Sequence, residues 1–247
     1  MTVLGIEVDN ALIARWRAWL APGVQPFFVD TRRGWPKSQD VALTPELRDT
    51  FKFWRMDRSL KVVWLDEETV AGLPLTRQAE LVRRRYQPLV WPSQVTDEIA
   101  VGFVEREGIA SRHGEVDWTV SGNVLPRAEA LVGTFPSRSG PNCFGTTMAA
   151  AGLVGAENEW MQREPFEAWL AAHCQPGGTD NQAGTVLLWR ETATGLVSHS
   201  AVTLGDGLAF EKASGCWWSP RAVASVADVK RDTRQRGLRL ERWRIVR

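Results

Sequence analysis

Three residues in the second half of the chain have the types and order of a nucleophilic site: Cys143, His199 and Glu211. A cysteine attacks as its thiolate, and a neighbouring histidine can accept the thiol proton and later donate it to a leaving group. A carboxylate beside that histidine fixes the ring orientation and stabilises its charged form. The sequence therefore predicts a nucleophile, an acid–base partner and an orienting carboxylate, provided that the fold brings them together.

The sequence around Cys143 predicts that the thiol lies at the start of a helix. The loop TFPSRSGPN precedes it, and the small residues CFGTTMAAA follow up to Gly152, a typical residue at a helix C-terminus. The positive end of the helix dipole lowers the pKa of a thiol and favours the thiolate. The backbone N–H of Cys143 would have no partner within the helix and could bind an oxyanion. The alternative is an unreactive, buried cysteine.

The segment LVSHSAVTLGDGLAFEK predicts a β-hairpin that joins His199 to Glu211. A three-residue loop at 205–207 gives the strands a register in which the apolar residues share one face. These residues are Val202, Leu204, Leu208 and Phe210. Glu211 then lies opposite Ala201 and diagonal to His199, within reach of its side chain. A two-residue loop would move Glu211 to the wrong face, so the apolar pattern selects the register that the site needs.

A cysteine at a helix start, followed by GTVLLWR and then SHSAVTLGDGLAFEK, resembles the NlpC-type cell-wall peptidases and their amidase relatives. The resemblance covers residues 126–247 and implies an α+β fold with a papain-like core. In such a core the helix that carries Cys143 packs on an antiparallel sheet that carries His199. The third polar residue of the family follows the histidine by twelve positions, where Glu211 stands. The family usually has Asp-Cys-Ser around the nucleophile, whereas this chain has Asn142-Cys143-Phe144.

These residues and this resemblance together predict a thiol hydrolase that cleaves a peptide or another amide bond. Cys143, His199 and Glu211 would form its triad, an acyl-enzyme would be its intermediate, and no cofactor would be required. Two alternatives remain. An acyltransferase would pass the acyl group to an amine or an alcohol, and a non-catalytic binding module would keep the fold without an activated thiol.

The other residues that could do chemistry have weaker patterns. His113 lies in a polar stretch that predicts a surface turn, and His173 is predicted to be a core histidine on an apolar helix face. Cys174 and Cys216 are predicted to be packing residues, although Cys216 with the two following tryptophans could line the cleft. The sequence contains no Gly-x-Ser-x-Gly turn around Ser139 or Ser214, no P-loop, no dinucleotide fingerprint and no metal-ligand spacing.

The elements that must position the site belong to two predicted regions, an N-terminal α/β region at 1–125 and the catalytic region at 126–247. The first has predicted strands at 3–8 and 61–65, a helix capped by Asn10, a helix start at Thr44–Pro45 and a helix at 76–86. The second has predicted helices at 125–133, 143–151 and 164–174, a strand at 185–190, the hairpin, a helix from Ser219–Pro220 and a closing strand at 238–246.

Composition limits the classes of protein that fit. Of the 247 residues, 30 are Lys or Arg and 29 are Asp or Glu. The resulting net charge of +1 argues against nucleic-acid binding. Three cysteines without a CxxC pair predict neither a disulfide framework nor a zinc site. The first residues lack a signal sequence and no stretch approaches ~20 apolar residues, which predicts a cytoplasmic protein without membrane contact. Export without a signal and the oligomeric state stay open.

Overall fold

The computed structural model describes residues 1–30 and 32–246. Within them the helices are α1 (Asn10–Leu20), α2 (Pro45–Thr50), α3 (Glu67–Ala71), α4 (Leu75–Arg83), α5 (Asp97–Glu107), α6 (Trp118–Ser121), α7 (Ala128–Leu131), α8 (Cys143–Ala150), α9 (Arg163–His173) and α10 (Val226–Asp232). The strands are β1 (Thr2–Val3), β2 (Ile6–Glu7), β3 (Val24–Asp30), β4 (Leu60–Asp66), β5 (Cys174–Pro176), β6 (Thr185–Glu191), β7 (Val197–Gly205), β8 (Leu208–Glu211), β9 (Ala222–Ser225) and β10 (Leu238–Ile245). All strand pairs are antiparallel, and helices alternate irregularly with strands, which confirms the predicted α+β class.

The chain divides into two compact units that differ from the predicted regions. One unit is Met1–Glu7 with Val104–Arg247, and the other is Val8–Phe103. Residues after 104 join the first unit because backbone hydrogen bonds hold them there: Ser111 N–H donates to Leu4 C=O at 2.8 Å, and Arg112 N–H donates to Val223 C=O at 2.9 Å. The observed division therefore falls earlier in the chain than the predicted boundary after residue 125.

The unit at 8–103 is built on the antiparallel pair β3–β4. Its core is formed by apolar residues of both strands, of two following helices and of the loop between α4 and α5: Phe27, Val29, Val63, Leu65, Val70, Leu81 and Trp91. Thr44 caps α2 and Pro45 is its first residue, as predicted. The cap of α1 is Asp9 instead of the predicted Asn10, since its carboxylate accepts the Leu12 N–H at 2.7 Å.

The other unit contains a six-stranded sheet with the order β5-β10-β6-β7-β8-β9. Side chains alternate between its two faces, and helices cover both. The core on one face includes α7, α8 and α9, against strand residues such as Val186, Leu188, Val202 and Phe210. On the opposite face, α10 packs its Val226 and Val229 against Leu187, Trp189, Ala201, Ala209 and Ala224. The predicted closing strand exists as β10, but it lies inside the sheet, between β5 and β6.

The β7–β8 hairpin has the predicted register and a different turn. Two central pairs fit the prediction: Val202 with Phe210, and Thr203 with Ala209. At the turn, Gly205 pairs with Leu208, so the loop consists of Asp206 and Gly207, whose φ angles are 49° and 73°. The predicted three-residue loop is therefore wrong. A bulge between residues 203 and 205 takes up the extra residue, so the strand positions near the site are unchanged.

The segment after the hairpin also differs from the prediction. No helix begins at Ser219–Pro220; β9 follows from Ala222, and α10 starts only after Ser225, whose hydroxyl accepts the Asp228 N–H at 3.0 Å. The backbone of Arg221 bonds instead to Thr134, with its N–H donating to Thr134 C=O at 2.9 Å. A strand-like pairing thus takes the place of the helix that the Ser-Pro start indicated.

Candidate active site

Cys143 is the first residue of α8, and Asn142 is its N-cap. The Asn142 side-chain oxygen accepts the Gly145 N–H at 3.1 Å, so the cap satisfies that donor and not the N–H of the cysteine. Within the part of the chain that the structure describes, the Cys143 N–H has no backbone acceptor. Gly145 is required by close packing, because a Cβ there would lie 2.2 Å from the Ala156 carbonyl oxygen. The thiol therefore lies at the positive end of a closely packed helix.

His199 lies on β7 beside a bulge that sets its direction. Trp189 pairs with His199 and Arg190 pairs with Val197, so Ser198 is the additional residue. A bulge reverses the alternation of side chains along a strand, and it therefore separates the direction of His199 from that of the buried Val197. The Trp189 and His199 ring centroids are 5.4 Å apart. The imidazole is thus held by packing and retains 13 % exposure of its side chain.

Glu211, on β8, orients the imidazole. Its side chain is only 5 % exposed, and His199 Nε2–H donates to its Oε2 at 2.9 Å. This contact is the diagonal pairing predicted from the hairpin pattern. Because Nε2 is taken by the carboxylate, Nδ1 is the ring nitrogen left for the thiol. The structure therefore brings all three predicted site residues together.

The electrostatics of the pair favour charge separation between Cys143 and His199. Burial opposes ionisation of Cys143, but the charge of His199 and hydrogen bonds from His199 and from Ser200 hold the thiol pKa below its usual value. Burial also disfavours the imidazolium. The Cys143 thiolate and the Glu211 carboxylate outweigh this effect and raise the pKa of His199 to about 10. Both shifts favour the thiolate–imidazolium form of the pair over the neutral thiol and imidazole.

A buried hydroxyl contact joins the helix to the strand at this point. Thr147 Oγ1 and Ser200 Oγ are 3.0 Å apart, and both residues are almost completely buried. Thr147 lies one helical turn after Cys143, and Ser200 is the neighbour of His199. Neither residue was predicted as part of the site, although their positions relative to Cys143 and His199 were a usable signal. Their contact fixes α8 against β7, and Ser200 also stabilises the thiolate.

Two cavities border the site and share Ser198. The first, about 400 Å³, is lined by His199 and Glu211 themselves and by Glu191 and Asp232; we call it the His199 cavity. The second, about 360 Å³, is lined by Asn142, Phe144, Trp160, Met161, Gln162, Arg163, Glu164 and Ser198; we call it the Trp160 cavity. The imidazole therefore borders the first cavity directly, whereas the second lies beside the chain neighbours of the two reactive residues.

The Asn142 amide makes two contacts, and the aspartate expected from the NlpC-type pattern could make only one of them. Its oxygen caps Gly145, and its Nδ2 donates to the Met161 carbonyl oxygen at 2.8 Å. An aspartate could make the first contact but has no donor for the second. It would also add a negative charge beside the Cys143 thiolate, which would raise the thiol pKa.

The remaining candidates lie outside this arrangement. His113 is partly buried, with Nδ1 3.1 Å from Ser111 Oγ. His173 is exposed at the end of α9, so its prediction as a core histidine is wrong. Cys174 is buried, and burial raises its pKa to about 12, which makes it unreactive.

The residues near Cys216 have structural contacts. Trp217 and Trp218 are buried, and neither residue lines the two cavities. The Ser139 hydroxyl accepts the Trp217 N–H at 3.2 Å, and the Ser214 hydroxyl accepts the Cys216 N–H at 3.3 Å. These two serine hydroxyls therefore stabilise the loop around Cys216.

Comparison with protein-family models, curated proteins and solved structures found no match for the chain. The resemblance to NlpC-type enzymes thus stays a prediction from the residues. Among residues 1–30 and 32–246, no group of three or more His, Cys, Asp or Glu is arranged to hold a metal ion. None of the helices in the same residues has the length and apolar character needed to cross a bilayer.

Proposed function

We propose that this chain is a thiol hydrolase with a papain-like catalytic core, and that it cleaves a peptide or another amide bond. One observation carries the proposal: the Cys143 thiol and the His199 imidazole are neighbours that each favour the charged form of the other, and Glu211 holds the far side of the ring at 2.9 Å. A binding module would gain nothing from a depressed thiol pKa. Perturbed ionisation beside an open cavity is the usual property of a catalytic site.

In the first half-reaction, the Cys143 sulfur attacks the carbonyl carbon and the π electrons move to the carbonyl oxygen. The Cys143 N–H donates a hydrogen bond to that oxyanion. The tetrahedral intermediate then collapses, the C–N bond breaks, and the His199 imidazolium gives its proton to the departing amine nitrogen. The products of this step are a free amine, a Cys143 thioester and a neutral imidazole.

In the second half-reaction, neutral His199 accepts a proton from water as the water oxygen attacks the thioester carbon. The C–S bond breaks and the sulfur leaves as a thiolate, which restores the ion pair and releases a carboxylic acid. Glu211 keeps the ring oriented throughout. An acyltransferase would replace the water with an amine or alcohol at this step, so product analysis with an added amine separates the two reactions.

The test is the pH dependence of Cys143 alkylation by iodoacetamide, measured in a Cys174→Ala/Cys216→Ala background so that one thiol reports. Rapid labelling below pH 7 that is lost in His199→Ala supports the proposal, because only the ion pair keeps a thiolate there. His113→Gln is the matched control and should label at the unaltered rate. Labelling that is slow below about pH 8.5 and indifferent to His199 would refute the enzyme and leave a binding module.

A further inference from the structure

The unit at 8–103 has a cavity of its own, with a volume of about 330 Å³. It is lined by Arg33, Thr76, Glu80, Arg83 and Arg84, and we call it the Arg83 cavity. Thr76, Glu80 and Arg83 are spaced four and three residues apart in α4, so they follow one face of that helix. Arg33, from the chain after β3, contacts this face, because its Nη1 donates to Glu80 Oε2 at 2.9 Å.

The charges around the cavity do not balance. Glu80 is the one carboxylate among the described lining residues, and its side chain is 13 % exposed. Besides Arg33, it has Arg84 Nη2 at 3.5 Å and Arg77 Nη1 at 3.8 Å. That nitrogen of Arg77 is buried and has no hydrogen-bond acceptor among the residues that the structure describes. A single carboxylate is therefore shared among three guanidinium groups.

The arginine run at 83–85 leaves further positive charge uncompensated. Arg83 is exposed and makes no ion pair or hydrogen bond within residues 1–30 and 32–246. Arg85 is partly buried, and its Nη2 donates to an uncharged acceptor, Gln25 Oε1, at 2.8 Å. The lining alone has a net charge of +2, from three arginines and one glutamate. Clustered positive charges repel each other, so a bound anion would lower the electrostatic energy of this face.

A phosphate group matches this lining better than a carboxylate does. A phosphate monoester carries a charge of about −1.5 to −2 at pH 7 and three strong acceptor oxygens, whereas a carboxylate carries a charge of −1. The planar guanidinium of Arg83 can donate to two phosphate oxygens at once, and the Thr76 hydroxyl adds an uncharged donor. A volume of about 330 Å³ is within the range of small-molecule sites, so the cavity has room for an organic part beside the phosphate.

We propose that the Arg83 cavity binds the phosphate group of a small ligand, with Arg83, Arg84 and Thr76 as donors and with Glu80 as the group that orients the arginines. The site belongs to the unit that does not contain the triad, so the proposal goes beyond the hydrolase activity and does not depend on it. Free phosphate and an organic phosphate monoester share this chemistry, and the experiment separates them.

The test is isothermal titration calorimetry of the full chain at pH 7.5 and about 0.15 M NaCl, with inorganic phosphate, glucose 6-phosphate and acetate as probes. Phosphate should bind one to one, and acetate about tenfold more weakly. Arg83→Gln should weaken phosphate binding by about tenfold, because a hydrogen bond between charged groups is lost. Arg83→Lys should recover part of the affinity, since it keeps the charge without the planar fork. Both variants should fold, because Arg83 is exposed and has no partner within the described residues.

Arg15→Gln is the matched control, because it removes the same charge from an exposed position of the same unit and should leave phosphate binding unchanged. Tighter binding of glucose 6-phosphate than of phosphate would support an organic ligand, and equal affinities would support free phosphate. Equal weakening by Arg83→Gln and Arg15→Gln would show a diffuse attraction of counterions and overturn the site. Equal affinities for acetate and phosphate, or no saturable binding of any probe, would overturn it as well.

Discussion

The Glu211→Gln substitution separates the two sources of the His199 charge. Glutamine has nearly the same shape as glutamate and can still accept the Nε2–H that lies 2.9 Å from Oε2. It removes only the negative charge. The thiolate of Cys143 is the larger of the two groups that raise the imidazole pKa, and Glu211 is the smaller. The imidazolium should therefore survive the loss of the Glu211 charge at neutral pH.

The size of the change follows from the energy of the hydrogen bond. A bond to a charged acceptor contributes about 1.5–3 kcal/mol and a neutral one about 0.5–1.5 kcal/mol, a difference of about 1–1.5 kcal/mol. Since one pKa unit corresponds to about 1.4 kcal/mol, Glu211→Gln should lower the His199 pKa by about one unit. The starting value is about 10 and the ordinary value is 6.5, so the ring stays mostly protonated at pH 7. Cys143→Ala should lower the pKa further.

The assay is NMR titration of the histidine ring protons. The chain has only three histidines, so His113→Gln and His173→Gln assign the spectrum. A His199 pKa that falls more in Glu211→Gln than in Cys143→Ala would refute the thiolate as the main partner of the ring. A wild-type His199 that titrates near 6.5 would refute the ion pair itself.

Two further substitutions test the surroundings of the pair. Asn142→Asp keeps the cap of Gly145 but loses the donor to Met161 and adds a charge beside the thiolate. The midpoint of the pH profile of Cys143 alkylation should rise by about one pH unit, while Asn142→Ser, which caps without charge, should shift it less; equal shifts would contradict the electrostatic reasoning. Lys212, fully buried, donates to the carbonyl oxygens of Ser214 at 2.6 Å and Cys216 at 3.0 Å. Lys212→Met should lower the free energy of unfolding by about 2–4 kcal/mol in urea titration, through unsatisfied buried carbonyls, and a loss below about 1 kcal/mol would show that water replaces the ammonium.

The sequence could predict the contact between His199 and Glu211, because that contact depends on how side chains alternate along a strand. Side chains alternate with a period of two, so the apolar residues of the hairpin restrict Glu211 to one register. The turn was missed because a bulge and a two-residue loop with positive φ give the same register as a longer loop. The same ambiguity concealed the bulge at Ser198. Its signal was the odd separation of Val197 and Val202, which are buried on the same side of the sheet.

The reactivity of a cysteine, by contrast, is not encoded in its neighbourhood along the chain. Cys143 and Cys174 are both buried, and burial alone raises the pKa of each. For Cys174 nothing opposes that effect, and its pKa reaches about 12. For Cys143 the opposing groups come from β7, where His199 and Ser200 supply a charge and hydrogen bonds. The two thiols have similar solvent exposure but differ in pKa. The difference arises because Cys143 faces a strand whose register is fixed by residues far away in the sequence. The strand pairing that places Glu211 against His199 therefore determines which cysteine has the lowered pKa.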